Sequence, residues 1–269
     1  MEEYISDNSL YIRSKNNSMI NRKMIGRVLG MLLFIELGMF LLCAGVSAGY
    51  GESDYKYFLY TCIINAVVGG LLLLYGRGAE NKMSRRDGYC VVTLSWVFFT
   101  FFGMLPFYFS GSIDTITNAF FETMSGFTTT GATILDDIES LSHGMLFWRS
   151  LTQWIGGLGI VFFTIAILPI FTTGGVQLFS AESTGVTHDR THPKINVMAK
   201  WLWTIYLVLT VSETVLLMFG GMSLFDAICQ SFATTATGGY STKQNSISYW
   251  NSPYIEYVVA IFMIVSSIN

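Results

Sequence analysis

Apolar runs of about 20 residues recur along the chain, separated by short polar stretches. At a rise of 1.5 Å per residue, a helix of this length crosses a hydrocarbon core about 30 Å thick. A transmembrane β-barrel would instead show segments of about ten residues with alternating polarity. We therefore expect an all-α polytopic membrane protein. The predicted spans cover residues 28–49, 57–75, 89–109, 144–171, 201–220 and the run from 253 to the last residue, 269.

Two further segments, 112–142 and 221–252, lie between spans but are too short and too polar to cross. Each is flanked by a span on both sides, so the predicted unit is helix, re-entrant segment, helix. Backbone of this kind is tolerated at membrane depth only where it is buried in protein or lines a watery cavity. Ordinary outer loops are the alternative, which the repetition of both segments at equivalent positions disfavours.

The two re-entrant segments are copies of each other, offset by 108 residues. TNAFFETMSGFTTTGAT, from Thr117, aligns with FDAICQSFATTATGGYS, from Phe225, and pairs Thr129 with Thr237 and Gly131 with Gly239. Internal repeats at a fixed offset indicate a repeated structural unit.

Each copy predicts a short helix followed by a stretch that does not remain helical. The helices are expected at 114–127 and 223–234, and Thr/Gly-rich residues 128–132 and 235–239 follow them. Such residues favour extended or left-handed backbone, so successive carbonyl oxygens can replace the hydration shell of a monovalent cation. The helix carboxy terminus directs its negative dipole to the same point. Acidic residues are expected to concentrate cations at the mouth: Asp114, Glu122, Asp136, Asp137 and Glu139.

Composition and charge agree with a membrane location. Of the 269 residues, 52% are hydrophobic and 12% are charged, and the net charge of −3 gives no reason to expect a nucleic-acid partner. Cationic clusters occupy alternate loops, so the positive-inside rule places the amino terminus and the loops at 77–86 and 180–200 in the cytoplasm. A cleaved signal peptide is the alternative for the first span, but that span exceeds the usual length of a signal sequence.

The predicted organisation has four parts. Residues 1–27 form a cytoplasmic amino terminus, 28–86 two leading transmembrane helices, 87–195 a first helix–pore loop–helix repeat, and 196–269 a second repeat that is truncated in its last helix. The scattered cysteines are interpreted as packing residues, without metal-ligand spacing: Cys43, Cys62, Cys90 and Cys229.

Three motifs resemble the TrkH/TrkG/KtrB superfamily of potassium transporters, and the TrkH branch in particular. They are SGFTTTGAT at 125–133, FWRSLTQWIGGLGI at 147–160 and ATTATGGYST at 233–242. The resemblance implies four helix–pore loop–helix repeats around one pore, and K+ as the transported ion with no organic cofactor. It also implies a homodimer in the bacterial inner membrane, surrounded by lipid and gated by a cytoplasmic nucleotide-binding subunit of the TrkA type. K+ coordination would fall on Thr129, Thr130, Gly131, Thr237, Gly238 and Gly239.

The chain departs from that family pattern in its length. One complete repeat and most of a second are present, so a closed four-part pore would need the remaining carboxy-terminal repeats. The chain is interpreted as a fragment, a truncated gene product or half of a split gene.

Several other residues have a structural and a functional interpretation. For Gly156, Gly157 and Gly159 we expect close helix packing rather than a gating hinge. Glu36 and Glu213 lie within predicted spans, where carboxylates are functional candidates, although Glu36 is more readily explained by hydrogen bonding. Arg149 lies near the outer end of its predicted span, where it can snorkel or pair with Glu122 or a loop carboxylate, and we expect a structural ion pair rather than a role in the ion path. The spacing of His188 and His192 would suit zinc on a helix, but a loop that contacts the regulatory subunit is the better interpretation.

Two classes of function remain. The first is potassium uptake, selected by the backbone carbonyls of the Thr/Gly pore loops. The second is a non-transporting membrane fragment or partner-binding half-protein. An enzyme is not expected, because no nucleophile and base, metal cluster or phosphate-binding glycine loop occurs at usable spacing.

Overall fold

The protein folds as a bundle of helices around two short re-entrant helices. A computed structural model describes residues 20–79, 85–159 and 194–268. In the part described, four helices are long and apolar enough to cross a membrane. The α-helices are α1 (Arg22–Gly49), α2 (Tyr55–Tyr75), α3 (Arg85–Gly103), α4 (Leu105–Phe109), α5 (Ile116–Phe127), α6 (His143–Gly157), α7 (Lys194–Phe219), α8 (Leu224–Thr235) and α9 (Pro253–Ser267), and a 3₁₀ helix covers Ser246–Trp250.

The leading hairpin of α1 and α2 packs backbone against backbone. A Cβ on Gly30 would lie 2.8 Å from the carbonyl oxygen of Gly69, so only glycine permits this approach. Helix α1 begins six residues before the predicted span and includes basic residues that precede that span. The side chain of Asn21 explains the earlier start, because it accepts a hydrogen bond from the Met24 N–H and caps the helix there.

The third predicted span is broken near its outer end. Helix α3 ends at Gly103 and α4 begins at Leu105, although the two together have the length of one span. Pro106 explains the break, since its nitrogen has no hydrogen to donate to the carbonyl one turn earlier. The predicted span at 89–109 is confirmed, since residues 86–109 together are long and apolar enough to cross a membrane.

Helix α6 is the central element of the described bundle. Trp148 on this helix is fully buried, packs at a tilt against the ring of Phe40 of α1 and donates its indole N–H to the Gly103 carbonyl at 2.8 Å. The same helix contacts both re-entrant helices, α5 and α8. The second half of the predicted span at 144–171, and the loop with His188 and His192, lie outside the described residues.

The second unit repeats the order of the first. Helix α7 leads through a turn at Gly220 into α8, and α9 returns alongside α7. Ser223 accepts a hydrogen bond from the Asp226 N–H at 3.0 Å and caps α8, as Thr115 caps α5 by accepting from the Asn118 N–H at 3.2 Å. The predicted short helices at 114–127 and 223–234 are confirmed to within two residues at each end.

A polar staple ties the leading hairpin to the start of α6. Glu52, in the turn between α1 and α2, accepts hydrogen bonds from the backbone N–H of His143 at 2.8 Å and from that of Gly144 at 3.3 Å. Its Oε1 also lies 2.7 Å from the His143 ring nitrogen Nδ1. The staple therefore satisfies two N–H groups at the first turn of α6, where a negative charge is favoured.

The titration of Glu52 follows from these contacts. Partial burial raises the pKa of the carboxyl, but the hydrogen bonds from His143 and Gly144 outweigh it, so the pKa lies below its usual value. A lowered pKa means that the stabilisation is present above the pKa of the unfolded chain, about 4.3, and is lost as the pH falls through the folded value.

Replacing Glu52 tests this staple. Glu52→Gln should lower the free energy of unfolding by about 1 kcal/mol at pH 7, the usual value of a helix amino-terminal cap. The difference from wild type should shrink as the pH is lowered towards 4, measured by thermal unfolding in detergent. Asp54→Asn is the matched control, because Asp54 makes no side-chain capping hydrogen bond. An equal effect of both variants at all pH values would contradict the staple.

Candidate functional site

The two re-entrant helices end at the segments predicted to bind the ion. Helices α5 and α8 have 12 residues each, and both run from a capped amino terminus towards a Thr/Gly stretch. Their carboxy termini therefore direct partial negative charge towards residues 128–131 and 236–239. We call these stretches the first filter and the second filter.

Both helices end in the same hydrogen-bond motif. In the first, the Thr129 N–H donates to the Gly126 carbonyl and the Thr130 N–H to the Ser125 carbonyl, each at 3.0 Å. In the second, the corresponding bonds run from Thr237 to Thr234 and from Gly238 to Ala233, at 2.9 and 2.8 Å. This pair of bonds is the Schellman motif, which requires a left-handed residue directly after the helix cap.

A threonine occupies the left-handed position in each filter. Thr129 has φ 53° and Thr237 has φ 55°, and two residues later Gly131 and Gly239 have φ 75° and 89°. A positive φ is unusual for a β-branched residue and costs about 1–2 kcal/mol. Glycine therefore occupies two of the four left-handed positions in the filters, and threonine occupies the other two. The alternation is the same in both repeats, so the 108-residue repeat extends to the backbone conformation.

The two filters lie directly against each other. A Cβ on Gly131 would overlap the carbonyl oxygen of Gly238, so no side chain fits at this position. Gly238 is enclosed in turn by the Gln153 side chain, whose Oε1 accepts a hydrogen bond from the Tyr240 N–H at 3.0 Å. Among the described residues, no atom lies within 4 Å of the Cβ position on Gly239. The structure thus brings the predicted site residues of both repeats together.

A buried ion pair stands behind the filters. Arg149 of α6 donates from Nε to Glu122 Oε1 of α5 at 2.8 Å, and both side chains are almost completely inaccessible, at 2% and 0% exposure. The other polar contacts of this pair reach both pore loops. Glu122 accepts hydrogen bonds from the Thr133 hydroxyl at 2.9 Å and the Ile134 N–H at 3.0 Å, whereas Arg149 Nη1 donates to the Ser241 carbonyl at 2.9 Å. The expected structural ion pair is confirmed.

Glu122 therefore does not contribute to an acidic mouth. The sequence places it in a run of acidic residues without lysine or arginine, yet it is buried under the loop. The other four acidic residues of that run are exposed: Asp114, Asp136, Asp137 and Glu139.

Tyr240 links the two repeats at the same level. Its hydroxyl donates to the Glu122 carbonyl at 2.8 Å and also lies 3.3 Å from the Ala132 carbonyl, while the guanidinium carbon of Arg149 lies 3.7 Å from the centre of its ring. Sequence reasoning did not single out Tyr240 or Gln153. Tyr240 lies inside the family-like motif at 233–242, and Gln153 lies inside the one at 147–160. These motifs are the sequence signal from which both residues could have been found.

The glycines of α6 hold this helix against both re-entrant helices. A Cβ on Gly156 would overlap the carbonyl oxygen of Phe127, at the end of α5. A Cβ on Gly157 would lie 2.7 Å from the Cα of Ala236, just after α8. For these two residues the expected packing role is confirmed. Gly159 has φ 70° and lies at the edge of the described segment.

Two buried carboxylates lie behind the re-entrant helices. Glu36 of α1 accepts a hydrogen bond from the Asn65 side chain of α2 at 3.0 Å, which confirms its expected structural contact. Glu213 of α7 accepts one from the Thr235 hydroxyl at 3.4 Å, immediately before the second filter. The Thr235 hydroxyl therefore links Glu213 to the residue that directly precedes the second filter.

Comparisons with known proteins agree with this geometry. Residues 55–269 match the family model TrkH, described as a cation transport protein. The Trk system potassium uptake protein TrkH of Escherichia coli K12 is 42% identical over 247 residues, which cover 91% of this chain and 51% of that protein. The Trk system potassium uptake protein TrkG of the same strain is 31% identical over 249 residues.

A solved structure matches as well. The crystal structure of the potassium transporter TrkH from Vibrio parahaemolyticus superposes with a TM-score of 0.78 at 34% identity, over 93% of this chain and 50% of that chain. The chain spans about half the length of the curated relatives it matches. The match covers both re-entrant helices and both filters, and the chain therefore belongs to the TrkH family of cation transport proteins.

Proposed function

We propose that the chain forms half of a potassium-selective pore and serves in K+ uptake. The observation that carries the proposal is the contact between two filters with the same alternation of backbone conformation. Carbonyl oxygens from such strands replace the water around K+. The coordinating residues would be Thr129, Thr130, Gly131, Thr237, Gly238 and Gly239, mostly through backbone carbonyls.

The setting of the filters supports the same proposal. Two helix carboxy termini point at the filters, and Asp136, Asp137 and Glu139 are exposed in the segment that follows the first filter. Both features favour a cation over an anion. The relatives are named as potassium uptake proteins, which favours K+ over other cations.

The partners and location follow from the family. We infer a multi-pass protein of the bacterial inner membrane with its amino terminus in the cytoplasm, since the positive-inside rule assigns the cationic loops to that side. A homodimer, a cytoplasmic nucleotide-binding subunit of the TrkA type and the remaining carboxy-terminal repeats are the proposed protein partners. The proposal assigns no catalytic reaction and no organic cofactor to the chain.

Replacing Gly131 tests the filter contact. In a chimera, the chain replaces the corresponding half of the Escherichia coli K12 relative in a bacterium that lacks K+ uptake. Gly131→Ala should abolish growth at low K+, because the new methyl group overlaps the Gly238 carbonyl oxygen. The chain without the second half of the relative should not support growth in this assay.

The matched control for Gly131→Ala is Gly111→Ala. Gly111 also has a positive φ, 71°, but in the described structure nothing lies within 4 Å of its Cβ position, and it lies between α4 and α5. It carries similar backbone strain without the overlap, so growth should be retained. Normal growth of the Gly131 variant, with equal amounts of both variants in the membrane, would refute the assignment of this residue to the filter.

The ion pair behind the filters predicts a large coupling energy. Glu122→Gln or Arg149→Met alone should destabilise the chain by about 3–5 kcal/mol, because each leaves the other charge buried without its partner. The double variant should cost clearly less than the sum of the two. Thermal unfolding of all four proteins in detergent gives this double-mutant cycle.

The partly exposed pair of Glu139 and Lys243, 3.8 Å apart, provides the control cycle. Glu139→Gln, Lys243→Met and their double variant should show a coupling of less than about 1 kcal/mol, as surface pairs do. Equal coupling in the two cycles would mean that the buried pair contributes no more than an outer loop contact.

A further inference from the structure

The side chain of Gln153 lies flat against the second filter. Gln153 belongs to α6, the helix that contacts both re-entrant helices, and its exposed fraction is 0%. A Cβ on Gly238 would lie 2.4 Å from the Cδ of Gln153, 2.5 Å from its Oε1 and 2.7 Å from its Nε2. Because these three distances are nearly equal, the face of the carboxamide, and not its edge, packs on the main chain of Gly238.

The carboxamide also forms a hydrogen bond two residues further along the loop. Gln153 Oε1 accepts from the Tyr240 N–H at 3.0 Å, across 87 positions of sequence. This bond also determines which atom of the amide is the oxygen, since an NH2 group placed there would meet a second donor. One side chain thus holds the main chain on both sides of Gly239.

The hydrogen bond determines where the Gly239 carbonyl points. The peptide group between Gly239 and Tyr240 is planar and trans, since the described residues contain no cis peptide bond. In a trans peptide the N–H and the C=O point in opposite directions. With its N–H held by Gln153, this group therefore directs the Gly239 carbonyl oxygen away from α6. That oxygen belongs to one of the residues proposed to coordinate K+.

Gly239 has few other contacts that could hold this orientation. Its φ is 89°, and in the described part of the chain nothing lies within 4 Å of its Cβ position. Glycine reaches many backbone conformations at low cost, so a peptide plane beside it rotates easily. The hydrogen bond between Tyr240 and Gln153 is therefore the contact that selects one orientation.

Fold stability alone does not explain a glutamine at this position. The Nε2 atom of Gln153 is buried, and among the described residues it has no hydrogen-bond partner. A buried donor without a partner is unfavourable, so an apolar side chain of similar size would suit the interior better. Adding 108 gives Ile261 on α9, so the second repeat has an apolar residue at the equivalent position.

We propose that Gln153 is a positioning residue for ion selection, which holds the Gly239 carbonyl towards the K+ path through the Tyr240 N–H. The inference rests on the proposed function, because it takes the second filter as a K+ site. It assigns the geometry of that site to a side chain that does not itself touch the ion. Without the acceptor the peptide group rotates, and a carbonyl that turns away no longer replaces water around K+.

Thermal unfolding of the purified chimera in increasing K+ or Na+ tests the role of Gln153. A bound ion stabilises the folded protein, so the dependence of the melting temperature on ion concentration gives an apparent Kd. Gln153→Met keeps the size of the side chain and removes the acceptor oxygen. The apparent Kd for K+ should rise about tenfold and that for Na+ should stay within about twofold, as expected for one lost hydrogen bond that serves the larger ion.

Two further variants separate the acceptor oxygen from packing. Gln153→Glu keeps an oxygen that accepts from the Tyr240 N–H in either protonation state, so it should retain K+ over Na+ discrimination within about threefold of wild type. Gln153→Asn keeps the amide but is one carbon shorter, so its oxygen does not reach that N–H. It should lose discrimination as Gln153→Met does, and it replaces that variant if the methionine protein does not accumulate.

The matched control is Thr210→Val. The Thr210 hydroxyl of α7 accepts a hydrogen bond from the Trp154 indole N–H of α6 at 3.0 Å, one residue after Gln153, and this bond does not reach a filter. Its loss should lower the melting temperature in the absence of K+. The ratio of the apparent Kd values for K+ and Na+ should not change.

Each outcome decides for or against the proposal. Unchanged discrimination in both Gln153→Met and Gln153→Asn would refute it. Equal loss in Gln153→Met and Gln153→Glu would refute it as well, because packing and not the acceptor oxygen would then be decisive.

Failure of the proposed function gives a different result. A wild-type chimera that binds K+ in this assay but does not support growth at low K+ would refute uptake and leave the role of Gln153 standing. A wild-type chimera whose melting temperature does not respond to K+ would refute both.

Discussion

The buried ion pair between Glu122 and Arg149 is the interaction on which the rest of the site depends. Moving two charges out of water is costly, and the pair is tolerated only because its remaining hydrogen-bonding capacity is used. Each of those additional bonds goes to a pore loop: Thr133 and Ile134 in the first repeat and Ser241 in the second. The pair therefore ties α5 and α6 to the loops that follow both filters.

The hydrogen bonds and close packing around this ion pair hold strained backbone conformations in place. The left-handed conformations of Thr129 and Thr237 are unfavourable by themselves. They persist because the Schellman bonds fix the end of each re-entrant helix and because Gly131 and Gly238 leave no space between the filters. Backbone strain held in place by its surroundings is typical of binding sites.

Much of the fold was predictable because local signals mark its elements. Apolar runs define the spans, and the capping residues Thr115 and Ser223 mark the amino termini of the short helices. Long-range contacts carry no such signal. Tyr240 meets the Glu122 carbonyl across 118 residues, and nothing in the local pattern around Glu122 distinguishes a buried carboxylate from an exposed one. A left-handed threonine is also contrary to its intrinsic preference, so the sequence argued against it.

The two adjacent glycines of α6 have a mechanical consequence. Gly156 packs against the end of α5, and Gly157 packs against Ala236, directly after α8. The main chain of α6 therefore contacts the ends of both re-entrant helices. Rotating or sliding it by even one side-chain width would drive a Cα into a carbonyl oxygen or a neighbouring Cα. The close contacts of Gly156 and Gly157 therefore fix the spacing between the ends of the two re-entrant helices.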